Sequence, residues 1–195
     1  HSLERGKFHR VMWQLSPTVG ESDLELDIAA NGDDVTEFVG TAFGVNSTQS
    51  GYAGTFEAVA GMRFIGVTVP QAAEITSASL TLNITTVNGS PDTDIYGVNT
   101  DDAAAWSNPG NLPSDASTTT ASVNFAPTGT GSAVIDVTGI VQEIVNRGGW
   151  VSGNDMAFVT SDNVGSGTNT WAAEDLNSAG GNEARLNITW VGGGV

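Results

Sequence analysis

The chain contains no cysteine. Disulfides, thiolate metal centres and cysteine nucleophiles are therefore excluded, and stability must come from a packed core, from bound ions or from assembly with neighbours. Histidine is nearly as scarce, because the two present, His1 and His9, both lie in the first ten residues. The rest of the chain lacks the imidazole that a Ser-His-Asp arrangement or a His-rich zinc site requires. Positive charge is also short. Six Lys and Arg stand against 22 Asp and Glu, a formal net charge of −16. Arg5, Lys7 and Arg10 account for half of the six, so residues 11–195 carry only Arg63, Arg147 and Arg185 against 21 acids, a net of −18. With no basic stripe to meet phosphates, nucleic acid is excluded as a partner, and an anionic membrane surface repels such a chain. No apolar run approaches the roughly 18 residues of a membrane-spanning helix, so no membrane insertion is expected.

What is abundant is glycine, at 25 residues, with Ser, Thr, Asn and Asp crowded between short apolar runs. Many short strands joined by turns have this profile. The clearest strand is "ITSASLTLNITTV" (75–87), where Ala78, Leu80, Leu82 and Ile84 share one face and Ser, Thr and Asn the other. "MRFIGVTV" (62–69), "TDIYGV" (93–98), "TASVNF" (120–125), "SAVIDV" (132–137), "DMAFVTS" (155–161), "NTWAAE" (169–174) and "ARLNITWV" (184–191) extend the set. Residues 40–60 read as short strands or a long surface loop. Strands polar on one side and apolar on the other predict an all-β, antiparallel β-sandwich, jelly-roll-like in its strand count.

One stretch departs from this pattern. In "VTGIVQEIVNRGGW" Ile140, Val141, Ile144 and Val145 recur at helical spacing, with Thr138 as a candidate N-cap and Arg147-Gly148 as a basic last turn and stop. The spacing predicts a short amphipathic helix over about 138–147 that caps an open end of the sandwich, with Gln142 and Glu143 facing water. Residues 1–20 also stand apart, basic at first and then alternating at Val11, Trp13 and Leu15. They are expected to form an assembly arm that adds a strand to a neighbouring subunit, ahead of a single sandwich domain over 21–195.

Candidate sites follow from oxygen ligands and flat rings. Hard cations such as calcium take carboxylate and carbonyl oxygens, and "NGDDVTE" supplies Asp33, Asp34 and Glu37 close together. Asp101 and Asp102, and Glu174 and Asp175, are further acidic pairs. Calcium is thus the expected cofactor class, with Asp33, Asp34 and Glu37 as its ligands. Trp106 and Trp171 sit in or near loops and are the candidates for stacking on a sugar, whereas Trp150 and Trp190 read as core. With 22 acids, no single carboxylate pair is singled out for glycoside hydrolysis, and no catalytic residue is assigned.

Several stretches in order resemble DNRLRE-type, disaggregatase-related β-sandwich domains: "AGMRFIGVTVPQAAEITSASLTLNIT", "IYGVNTDDAAAW", "IDVTGIVQEIVNRGGWVSGNDMAFVTS" and the closing "ARLNITW". The resemblance spans about residues 27–191. It departs at Ala72-Ala73, where that group has Gly-Ala after Pro-Gln, and the DNRLRE signature itself is absent. Such domains occur in secreted bacterial proteins and predicted phage virion proteins and are mostly non-catalytic. The resemblance implies a non-enzymatic, surface-exposed structural protein located extracellularly or on a virion surface: a phage capsid decoration, tail or fibre component, or an appendage subunit. The alternative it leaves open is a carbohydrate-binding or adhesion module. Expected partners are other copies of the chain or other structural subunits, or a glycan.

Overall fold

The computed structural model describes residues 20–45, 47–178 and 180–192. The candidate assembly residues Val11, Trp13 and Leu15 lie outside that set. Within it the chain is an all-β, antiparallel, sandwich-like fold with one short α-helix.

Two long strands act as spines. In β6 (Glu74–Asn88), Ala78, Leu80, Leu82 and Ile84 are buried on one face by simple alternation. A bulge at Thr76, opposite Thr189 and Trp190, brings Ile75 to the same side. One edge of β6 pairs with β9 (Gly131–Asp136); the other pairs first with β12 (Arg185–Val191) and then with β11 (Gly167–Ala173). β1 (Ser22–Asp27) flanks β12, and β4 (Thr48–Gly54) flanks β11.

The other spine is β5 (Phe56–Val67). Along one edge it carries β2 (Asp34–Phe38), with β3 (Ala42–Val45) beyond. Its other edge pairs with the end of β4 and then with β10 (Asn154–Asp162), followed by β7 (Thr93–Val98) and β8 (Thr118–Phe125). Where β5 exchanges β4 for β10, the Thr160 hydroxyl oxygen accepts the Ala60 N–H at 2.8 Å and the Ser50 hydroxyl at 2.6 Å. A backbone donor that would be left unpaired at that corner is thereby satisfied. The Gly- and Ser-rich residues 40–60 thus form β3, β4 and the start of β5 rather than a long loop.

Between the layers, Leu80, Leu82, Leu186 and Ile188 from one side meet Met62, Phe64, Met156 and Phe158 from the other. Trp171 of β11 is wholly buried, its ring edge-on to Phe125 of β8 and its indole N–H donating to the Thr93 hydroxyl at 3.1 Å. Trp150 and Trp190 are core, as their strand and helix positions predict.

The helix, α1 (Thr138–Val145), reaches from β6 across to β7 and β8 and closes the sandwich on that side. Ile140, Val141, Ile144 and Val145 are all buried, a contribution of about 6 to 10 kcal/mol before entropy. It sits so close to β7 that a Cβ on Gly97 would lie 2.6 Å from Ile140 Cγ2 and 2.7 Å from Ile144 Cδ1. Only glycine fits there.

Three expectations about the helix are corrected. It ends at Val145 with Asn146 as C-cap, so Arg147 lies beyond it and instead pairs with Asp101 at 2.7 Å. Thr138 is not the N-cap: Val137 takes that position, and the Thr138 hydroxyl bonds to Ala78 of β6. The Asp136 carboxyl is held below the usual carboxylate range by the Thr138 side chain and then by its N–H. Gln142 and Glu143 do not simply face water. Gln142 accepts the Ile75 N–H at 2.8 Å and donates to the Ala73 carbonyl at 2.9 Å, while Glu143 accepts the N–H groups of Thr120 and Ala121 on β8, both at 2.8 Å. The two side chains latch the helix to both layers.

Ala72 stands in the left-handed region at φ 55°, the one non-glycine residue with positive φ among the described residues. A Cβ in that conformation costs about 1 kcal/mol.

Ile144→Asp should lose at least about 3 kcal/mol of unfolding free energy, because it buries an unpaired charge. Gln142→Ala should cost about 1 to 2 kcal/mol by leaving the Ile75 N–H unmet, and Ala72→Gly should gain up to about 1 kcal/mol. Urea denaturation midpoints at unchanged slope would measure all three.

Candidate functional site

The middle of the second layer, where β10 meets β5 beside β2, is buried on both sides, and this sets the local chemistry. On β10, Met156 and Phe158 face the main core while Ala157 and Val159 face outward, yet all four are buried. The outer side is covered by the segment 99–117, which brings Ala103 and Trp106 against Ala157, Val159 and Val35 of β2. Trp106 packs on the backbone of β5 at Gly61, where an added Cβ would stand 2.8 Å from the indole.

Arg63 fastens this cover. Its Nη1 meets Asp33 Oδ1 at 2.6 Å, its Nη2 pairs with the Asp155 carboxylate, and its Nε donates to the Ala103 carbonyl at 2.8 Å. One guanidinium therefore joins the entry to β2, the covering segment and β10. The other Asp155 oxygen accepts the Gly66 N–H at 2.8 Å, and the Asp102 carboxylate accepts the Asp155 N–H at 2.8 Å. Sequence reading did not single out Arg63. The available signal was scarcity: three arginines in an acidic body each have a carboxylate partner, Arg185 pairing with Asp27 at 2.6 Å.

The three proposed calcium ligands do not converge. Successive side chains of an extended chain point to opposite faces, so Asp33 and Glu37 face the cover while Asp34 points the other way. Residues 33 and 37 are also separated by about 13 Å along an extended chain. Each carboxylate has its own partner: Asp33 has Arg63, Glu37 accepts the Ser114 N–H and hydroxyl, both at 2.9 Å, and Asp34 accepts the Leu176 N–H at 2.8 Å. Among the described residues no three His, Cys, Asp or Glu side chains form a metal-holding group.

Trp106 and Trp171 are not a sugar platform. Trp106 is 6 % and Trp171 0 % exposed, so neither ring presents a face for stacking. For Trp106 loop position misled because the loop folds back as a second core layer, whereas Trp171 lies within β11 and points into the main core. Tyr96, on the outer side of β7, borders an open groove of about 380 Å³ with Glu57, Ser114, Thr118 and Ser161.

Asp34 has the most perturbed environment. Burial, chiefly, and then repulsion from Asp175 and Asp33 push its carboxyl up to about 6, against the lowering hydrogen bond from Leu176. The folded state therefore favours the protonated acid. The associated destabilisation is absent below about pH 4, grows as pH rises toward 6, and is constant above.

No family model matches the chain, and no curated protein matches it.

Arg63→Ala should cost about 3 to 5 kcal/mol, because Asp33 stays buried without its cation. Thermal and urea unfolding would measure it, with Arg63→Lys recovering only part. In chelator-treated protein Asp34→Asn should be more stable than wild type by about 2 to 3 kcal/mol above pH 6, the gap closing by pH 4. Denaturation across pH 3.5–8 would check the sign.

Proposed function

We propose that this chain is a non-enzymatic structural protein exposed at a surface, as a phage virion component (capsid decoration, tail or fibre) or a subunit of an extracellular appendage. The observation that carries the reading is how the carboxylates are used. Glu37, Asp102, Glu143, Asp155 and Asp162 each accept backbone N–H groups of turns, edges or covering segments. Charge is deployed to hold backbone in place, as suits a scaffold. The resemblance to DNRLRE-type domains supports the same reading. So does the strongly acidic body beside a basic, alternating arm: residues 1–20, with Val11, Trp13 and Leu15, are the segment through which copies of the chain join.

A glycan-binding module is the alternative, and the groove beside Tyr96 is the surface that favours it.

Light scattering coupled to gel filtration should show the full chain forming a defined oligomer, assembling more slowly at higher salt as the arm's attraction to the acidic body is screened. Deletion of residues 1–20 should leave a folded monomer. A chain that stays monomeric at high concentration and gives a specific glycan-array signal lost in Tyr96→Ala would overturn the structural reading in favour of the module.

A further inference from the structure

The turn that receives Asp34 contains a second carboxylate, Asp175, and no cation. Asp34 is 1 % exposed. Its Oδ2 is held by the Leu176 N–H, while its Oδ1 is buried without any hydrogen-bond partner. Thr48, 2 % exposed, brings another buried and unpartnered oxygen, Oγ1, to this end of the sandwich. Its backbone pairs with Ala173, two residues before Asp175, and Ser47 beside it donates its N–H to the Asp34 carbonyl at 3.3 Å. The turn itself is tightly set: Asp175 Oδ1 accepts the Asn177 N–H at 3.0 Å, and the Ser178 hydroxyl oxygen accepts the Asp175 N–H at 3.1 Å.

A buried carboxylate with an unmet oxygen calls for a counter-charge. The chain does not supply one from its described residues. Their only cationic side chains are Arg63, Arg147 and Arg185, and each is committed to other acids: Asp33 and Asp155, Asp101, and Asp27 with Glu25. We propose that Asp34 and Asp175, with the Thr48 hydroxyl, bind a divalent cation of the calcium class. The unmet oxygens are hard donors, and calcium accepts few carboxylates when hydroxyl, carbonyl and water oxygens complete its shell. Magnesium, which demands a smaller and near-octahedral shell, suits the site less well. This ligand set differs from the contiguous Asp33, Asp34 and Glu37: it takes one residue of that run and joins it to a turn about 140 positions later. It is independent of the reading under "Proposed function".

The test uses the full chain, stripped with EDTA and exchanged into metal-free buffer at pH 7.5. Calorimetric titration with calcium chloride should show one binding event. At a hundredfold excess over the dissociation constant, the melting temperature should rise by about 5 to 10 °C, with magnesium chloride giving a much smaller rise. Asp34→Asn should abolish the event. Asp175→Asn, which retains the oxygen that accepts the Asn177 N–H, should stay folded and weaken calcium at least tenfold. Thr48→Val tests the hydroxyl in the same way. Absence of calcium heat with an unchanged melting curve would overturn the proposal, as would equal calcium affinity in wild type and Asp175→Asn. Should Asp34→Asn fail to fold, the Asp175→Asn result decides.

Discussion

Burial of the β5–β10 pair on both of its faces is the constraint from which the rest of the structure follows. A sandwich sheet ordinarily turns one face to water. Here Val35, Ala157 and Val159 make the outer face apolar as well, so the chain must supply a second cover. It does so with residues 99–117, and Arg63 joins this cover to β10 and to the entry of β2. The guanidinium suits this task because its five donors lie in one plane and can meet two carboxylates and a carbonyl at once.

The same logic of fastening recurs at lower cost elsewhere. Carboxylates and amides from one element reach the exposed backbone donors of another: Glu143 at the edge of β8, Gln142 at the start of β6, Glu37 at the short 3-10 turn Pro113–Asp115. Each bond satisfies a donor that no sheet ladder reaches, and each ties loop to layer. A chain without cysteine thereby holds long covering segments in register without covalent links. The acidity thus has a structural use, since an ionised carboxylate presents two acceptor oxygens and no donor, and its hydrogen bonds to N–H groups are charge-assisted.

That acidity also leaves an electrostatic imbalance around Asp34, whose buried Oδ1 has no hydrogen-bond partner. Among the described residues Arg63, Arg147 and Arg185 are all engaged with other acids, and Asp34 is held against the turn that carries Asp175 with no cationic side chain paired to it. Proton and divalent cation are the two species that relieve such a pair, and they have opposite pH dependence.

The amino-acid sequence by itself determined the fold class, most of the strands and the helix, because alternation in 75–87 and 184–191 and the 3.6-residue spacing of Ile140, Val141, Ile144 and Val145 are local consequences of burial on one face. What it did not determine was which acids meet. Asp33 and Asp34 are neighbours in the chain but point to opposite faces, while Asp34 and Asp175 are far apart in the chain and share one turn. Nor did it tell that Trp106 and Trp171 are interior: Trp171 faces inward from β11, and Trp106 sits on a loop that folds over a sheet and becomes core, which only the tertiary structure decides. Side-chain direction at one residue is local physics; side-chain company is decided by topology.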